Sequence, residues 1–282
     1  MNIKTWDKLS FAKARHDDPP QPDFCLPNLI SGTVGVVAAP AGIGKTSLLM
    51  QIAASVAAGV PVAGGLLPAP EKTGKVVFLA TEDPVEVLQR RAHFIVRSLE
   101  EQGANSDTLK SLESNLEFYC IRSEAPILLW TDDIGAPGLD RLDVLARNTR
   151  LLILDPIRRF HYCDEQDYSK MSILFGLLSN IATSNGCTII FSHHVPQPIT
   201  DNDLEAPAGA LGSHAFINST RWVVNLNGMS HAQGQHYGIA ESQRRHYVLA
   251  SFTKSNYGTA MPARWLRRSE TYEGVLLTHE LK

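Results

Sequence analysis

Lys45 and Thr46 close the stretch APAGIGKT, which runs from Ala39 to Thr46. A lysine next to a hydroxyl, behind two spaced glycines, suits a polyphosphate. The pattern G-x-x-x-x-G-K-[ST] describes such a loop. Gly44, Lys45 and Thr46 fill its last three places, and Ala39 stands where the pattern has its first glycine. Gly42 and Gly44 let backbone approach phosphate oxygens, and the segment Ala41 to Ser47, Ile43 included, supplies N–H donors. Lys45 is expected to contact the β- and γ-phosphates, and the Thr46 hydroxyl to bind Mg2+. A glycine-rich strand-to-helix turn with a surface lysine is the plainer reading of the same residues.

A working loop also needs one carboxylate on the Mg2+ side and one to orient the attacking water. LLILD ends an aliphatic run on Asp155, which takes the first role. The Asp-Pro step after it is also an ordinary turn signal. FLATEDP puts Glu82 and Asp83 just past a second aliphatic run. Glu82 is the expected base. Asp83 has two readings, a helper in the Mg2+ or water network and a cap for the helix that starts at Pro84. FSHH ends a third run on His193 and His194. Neighbours on a strand face opposite ways, so one of them is structural. His194 is the favoured γ-phosphate sensor, and a metal-binding pair is the competing reading.

These side chains need strands that stop at one edge of a sheet. TVGVVAA, KVVFLA, LEFYCIR, RLLILD and CTIIFS read as strands, KVVFLA and CTIIFS as buried ones. KTSLLMQIAASVAAG, PVEVLQRRAHFIVRSLE, GLDRLDVLARN and YSKMSILFGLLSNIATSNG carry helical spacing. Aliphatic strands alternating with helices predict a mainly parallel sheet covered on both faces. The C-terminal ends of such strands share the edge of the phosphate loop. Loops are expected over 123–137 and 196–212. RWVVNL, HYVLASFTK, ARWLRRSE and GVLLTHE then read as antiparallel strands. The fold class is α/β, a twisted sheet flanked by helices with an antiparallel C-terminal extension. Proline-rich DDPPQPDF marks residues 1–32 as an arm or linker, leaving 33–282 as one domain.

Bulk properties narrow the classes. A 44% hydrophobic and 20% charged composition is ordinary for a soluble domain. No run of 18 apolar residues occurs, so no membrane span is expected. The first residues lack the apolar core of a secretory signal. Cys25, Cys120, Cys163 and Cys187 form no C-x-x-C pair, which disfavours a zinc site and makes a reducing cytoplasm the expected compartment. A net charge of -3 argues against a basic coat for nucleic acid but allows a local basic channel. Arg158 and Arg159 are candidate DNA contacts, or partners for the acidic DEQD after them. Arg244, Arg245, Arg264, Arg267 and Arg268 read as surface charge. No aromatic-basic alternation marks a stacking platform.

APAGIGKT, FLATEDP, LLILDPIRRFH, IIFSHH, STRW and FTKSNYG together resemble the hexameric replicative helicases of the RepA family of broad-host-range plasmids, among the RecA- and DnaB-like ring ATPases. The resemblance spans Leu26 to Leu276. It implies a RecA-like core, ATP with Mg2+, and a homo-oligomeric ring, expected to be a hexamer, with residues 1–32 as a subunit contact. It also implies movement on single-stranded DNA and duplex separation in plasmid- or phage-type replication. A primase or an initiator protein is a further candidate partner. Residue by residue, it makes Lys45 and Thr46 the phosphate-loop pair, Glu82 the catalytic carboxylate with Asp83 beside it, Asp155 the Mg2+-side aspartate and His194 the sensor. Arg221 in STRW matches an arginine finger inserted by a neighbouring subunit; a surface charge beside buried Trp222 is the plainer reading. The DnaB-like K-x-R-x-G element reads K-S-N-Y-G here, so Asn256 replaces its arginine while Lys254 keeps its place near nucleotide. The segment 195–214 suits a mobile loop coupling nucleotide state to DNA grip, although it is acidic. The alternatives are a RecA-like DNA-dependent accessory, recombination or regulatory ATPase without unwinding, and a nucleotide-dependent scaffold with feeble turnover.

Overall fold

In VVFLA, Val76–Ala80 (β4), and LLILD, Leu151–Asp155 (β6), every residue is buried. Such strands need apolar cover on both faces, and alternate residues provide it. Phe78 and Ile153 enter one core, while Leu79 and Leu154 enter a second on the opposite face. A computed structural model describes residues 9–121, 138–195 and 219–281. Its other strands are β1 (Phe24–Leu26), β2 (Leu29–Ile30), β3 (Val34–Ala39), β5 (Leu116–Cys120), β7 (Thr188–His194), β8 (Trp222–Gly228), β9 (Tyr247–Ser255), β10 (Arg264–Arg268) and β11 (Leu276–Thr278). The principal helices are α1 (Phe11–His16), α2 (Lys45–Ala58), α3 (Val85–Glu101), α4 (Ser106–Asn115), α5 (Leu139–Ala146), α6 (Tyr168–Asn185) and α7 (His231–His236).

The main sheet has nine strands in the order β11-β10-β9-β8-β3-β7-β6-β4-β5. The first core packs under α2, α3 and α4, and the second under α5 and α6. Gly59 and Gly186, both left-handed, stop α2 and α6 where the sequence places their ends. RWVVNL departs from its expected antiparallel pairing. As β8 it runs parallel to β3, with Gly35 opposite Trp222, and pairs antiparallel only with β9. Buried residues at five successive positions, Trp222 to Leu226, are the mark of an interior strand, and the parallel body therefore extends one strand further. Helix α4 also escapes the sequence reading, because SDTLKSLESN buries only Leu112 and gives little periodicity. Packing begins ahead of Thr33, since Cys25, Leu26 and Leu29 join the first core. The loops expected at 123–137 and 196–212 lie outside the described residues. Among the described residues no helix is long and apolar enough to cross a membrane.

The antiparallel end of the sheet folds back over α2. Gln51 on α2 donates to the Leu276 carbonyl at 2.8 Å and accepts from its N–H at 3.2 Å. This tie brings the turn before β11 to the edge where the parallel strands end.

Candidate functional site

Strands β3, β4, β6 and β7 stop at that one edge, with Ala80 paired to Asp155 and Ala39 to His194. The chain leaves β3 through the loop Pro40–Gly44 and enters α2 at Lys45. Gly42 and Gly44 have φ of 75° and 106°, a region costly for residues with a β-carbon. Gly44 heads α2, and no side chain caps it. The first helical N–H groups are thus left for an anion, where the helix dipole also favours one.

Lys45 donates to the carbonyls of Ala39 at 2.9 Å and Pro40 at 2.8 Å. Burial lowers its pKa to about 8, against the pull of Asp155 and Glu82. Thr46 Oγ1 donates to Asp155 Oδ2 at 2.6 Å, and the Ser192 hydroxyl donates to Asp155 Oδ1. Asp155 is buried, and burial pushes its pKa up against these two donors. Its backbone carbonyl accepts from Thr81 N at 3.1 Å and Thr81 Oγ1 at 3.0 Å, which fixes the β4 end beside it.

Glu82 stands 3.9 Å from His194 Nε2 and 3.5 Å from Arg159 Nε. The His194 contact, more than Arg159, holds its carboxyl below the usual range. The two histidines do part. His193 is 2% exposed, and burial lowers its pKa to about 4, whereas His194 opens onto the cleft. Asp83 pairs with Arg91 of α3 instead of capping that helix, whose N-cap is Pro84. Asp83 itself does not line the cleft, although Arg91 does.

Arg221 and Lys254 are not at this edge. Trp222 is level with Gly35, near the start of β3, and Val223 is opposite Lys254. At about 3.3 Å per residue, Arg221 lies roughly 15 Å along the strands from the loop of its own chain. It is exposed there, and its charge adds to burial in lowering the Lys254 pKa.

The edge encloses a cleft of about 310 Å³. Gly42, Gly44, Lys45, Thr46, Ser47, Glu82, Asp155 and His194 line it, so most of the expected residues meet. Seven other lining residues escape sequence reasoning, Glu273, Gly274 and Val275 of the turn before β11 among them. Arg91 and Ile95 lie on α3, while Arg268 and Tyr272 come from the antiparallel end. Arg268 reads as surface charge in the sequence, and nothing local says that β10 returns to the phosphate loop. Ser192 was also missed, although it precedes the two histidines in FSHH.

The donor set fits a nucleotide with Mg2+. Thr46 and Asp155 already meet at hydrogen-bond distance, as a metal ligand and an aspartate on the metal's side should. Among the described residues no cluster of three or more His, Cys, Asp or Glu could hold a metal alone. Mg2+ would therefore take its other ligands from phosphate and water, as that ion prefers.

A parallel sheet, a glycine loop heading a helix, and a threonine joined to an aspartate at a neighbouring strand end define a RecA-like P-loop nucleotide-binding fold. The chain matches the AAA domain family over residues 3–198 and belongs to it. Its structure is similar to the ATPase domain of G40P, with a TM-score of 0.59 and 11% identity over 89% of this chain and 86% of that one. It is also similar to the RadB recombinase, with a TM-score of 0.52 and 15% identity over 89% of this chain and 92% of that one.

Proposed function

We propose that this chain is a ring-forming, DNA-dependent ATPase that moves on single-stranded DNA and separates duplexes, a helicase of plasmid- or phage-type replication. One observation carries the reading. The phosphate loop with Asp155, Glu82 and His194 sits at one edge of the sheet, and Arg221 with Lys254 sits toward the other. Arg221 as a finger must then act on a neighbour's nucleotide. A head-to-tail contact of this kind closes into a ring when its rotation allows, and a hexamer is the expected size.

In this reading the N–H groups of Ala41 to Ser47 and the Lys45 ammonium hold the phosphates of ATP. Thr46, with Asp155 behind it, would hold Mg2+ on the protein side, and the ion would supply charge neutralisation for the phosphates. Glu82 stays ionised at neutral pH because His194 and Arg159 favour its charged form. It orients the water more than it stores a proton. His194 reads the γ-phosphate, and the neighbour's Arg221 offsets charge that develops in the transition state, with Lys254 beside it.

DNA contact has a candidate surface after Asp155. Tyr162 and Tyr168 are 67% and 56% exposed on the segment that carries Arg158 and Arg159. Exposed aromatics among arginines can stack bases without reading sequence. Arg158 also lies 3.9 Å from Glu165, within the acidic run.

Native mass measurement with and without nucleotide, ATPase assays with and without single-stranded DNA, and unwinding of a forked duplex test the proposal. A monomer whose hydrolysis ignores DNA would overturn it. A second reading keeps the DNA-dependent ATPase and drops unwinding, as an accessory or recombination protein; the shared fold with a recombinase supports it. Hydrolysis stimulated by DNA with no strand separation on the fork selects that reading.

A further inference from the structure

Arg268 ends β10, opposite Leu276 of β11. Its side chain crosses to the phosphate loop and donates a 2.8 Å hydrogen bond to the Gly42 carbonyl. Its two terminal nitrogens lie 3.6 and 3.8 Å from where a β-carbon on Gly44 would stand. Arg268 borders both the cleft and a second cavity of about 330 Å³ beside Ala41, Gly42 and Ile43. Among the described residues no carboxylate forms an ion pair with it, and burial lowers its pKa. A partly desolvated guanidinium spent on one backbone carbonyl calls for a reason.

The peptide geometry supplies one. In a trans peptide the C=O and the following N–H point to opposite sides. Holding the Gly42 carbonyl on Arg268 fixes the Ile43 N–H on the opposite side of that peptide bond, away from the guanidinium. Lys45 behaves differently. Its ammonium holds the Ala39 and Pro40 carbonyls, and it must leave them to reach a phosphate. Arg268 is anchored on another strand and can keep its carbonyl throughout.

We infer that Arg268 is a positioning residue for the phosphate loop: it stays on the Gly42 carbonyl while Lys45 moves, and keeps the Ile43 N–H aimed at the β-phosphate of a nucleoside di- or triphosphate. The inference rests on the nucleotide-binding reading of the cleft. It links the antiparallel extension to the phosphate loop through one side chain.

The test compares Arg268→Gln and Arg268→Lys with the unmodified protein and with Lys45→Ala. Fluorescent ADP binding is measured with Mg2+, and inorganic pyrophosphate is then used as competitor. Arg268→Gln should weaken ADP and pyrophosphate by the same factor, about tenfold. Pyrophosphate touches only the phosphate end, so damage elsewhere in the cleft would not move both alike. Arg268→Lys should recover part of the loss, since it keeps a charged donor. Should Arg268→Gln not fold, Arg268→Lys carries the test with an expected loss of about threefold on both ligands. An unmodified protein that binds neither ligand, or binds as Lys45→Ala does, overturns the nucleotide reading and this inference with it. Normal binding by the unmodified protein, with pyrophosphate affinity untouched in the Arg268 variants, overturns the inference alone.

Discussion

Thr46 Oγ1 donates a 2.6 Å hydrogen bond to Asp155 Oδ2, joining the first turn of α2 to the end of β6 across 109 residues. The other carboxylate oxygen accepts from Ser192 on β7. Donors from two neighbouring elements thus hold a buried acid whose own burial opposes its charge. A cation delivered with the nucleotide would relieve that opposition, and the Thr46 oxygen is placed to turn toward it.

Asp155→Asn keeps this shape and removes the charge. It is expected to weaken Mg2+ activation of hydrolysis about 10- to 100-fold. ADP binding in the absence of Mg2+ should survive. A Mg2+ titration of ATPase, set beside metal-free binding, checks both halves. An unchanged Mg2+ requirement in the variant removes Asp155 from the metal's side.

Arg221→Ala should fold and bind nucleotide, and its hydrolysis should fall by about 10³-fold, the low end of what a trans arginine supplies. The placement of Arg221 away from its own loop makes a sharper test possible. Lys45→Ala and Arg221→Ala are each inactive alone, yet mixed rings contain interfaces where an intact loop meets an intact arginine. Mixing the two variants should restore a fraction of ATPase activity. No recovery from rings shown to contain both chains would place Arg221 outside the site.

The parallel strands and their helices were legible because most of the strands are short apolar runs and each long helix ends on a glycine or begins near a proline. Glu82, Asp155 and His194 could be placed at one edge because parallel strands share their C-terminal side. Contacts made by the antiparallel end were not legible. Arg268 and Tyr272 reach the cleft only because β10 and β11 fold back over α2, a tertiary fact that Gln51 and Leu276 record and no local pattern carries. β8 was misread for a related reason: alternation tells a buried strand from an exposed one, and pairing direction is set by what lies on either side. Asp83 shows a further limit, since its ion pair with Arg91 competes with both roles that the local sequence suggests.

Arg159 stands 3.5 Å from Glu82 and is itself 61% exposed, on the segment that offers Tyr162 and Tyr168. Single-stranded DNA that took the Arg159 guanidinium would leave Glu82 freer to hold water. Arg159→Ala should therefore raise DNA-free hydrolysis about two- to fivefold, the scale of an exposed ion pair, and blunt stimulation by DNA. A variant with normal basal rate and normal stimulation would sever this link.

Lys45 provides a test in pH. It is 6% exposed, and its pKa falls from 10.5 to about 8, chiefly through burial. Between those values the unfolded chain binds a proton that the folded chain has released, so stability rises with pH across the window. The Lys45 contribution to the nucleotide-free protein is complete above 10.5 and is lost as pH falls through 8. The difference in unfolding free energy between the protein and Lys45→Met should trace that rise. A polyphosphate reverses the preference, because it needs the ammonium. ADP binding should therefore take up protons at about pH 9 and few at about pH 7.5. Calorimetry in buffers of different ionisation heat measures the uptake. Lys45→Arg, whose side chain stays charged, gives the baseline to subtract. If the two proteins take up equal numbers of protons at the higher pH, Lys45 is already charged in the empty loop, and its burial there does not govern the affinity.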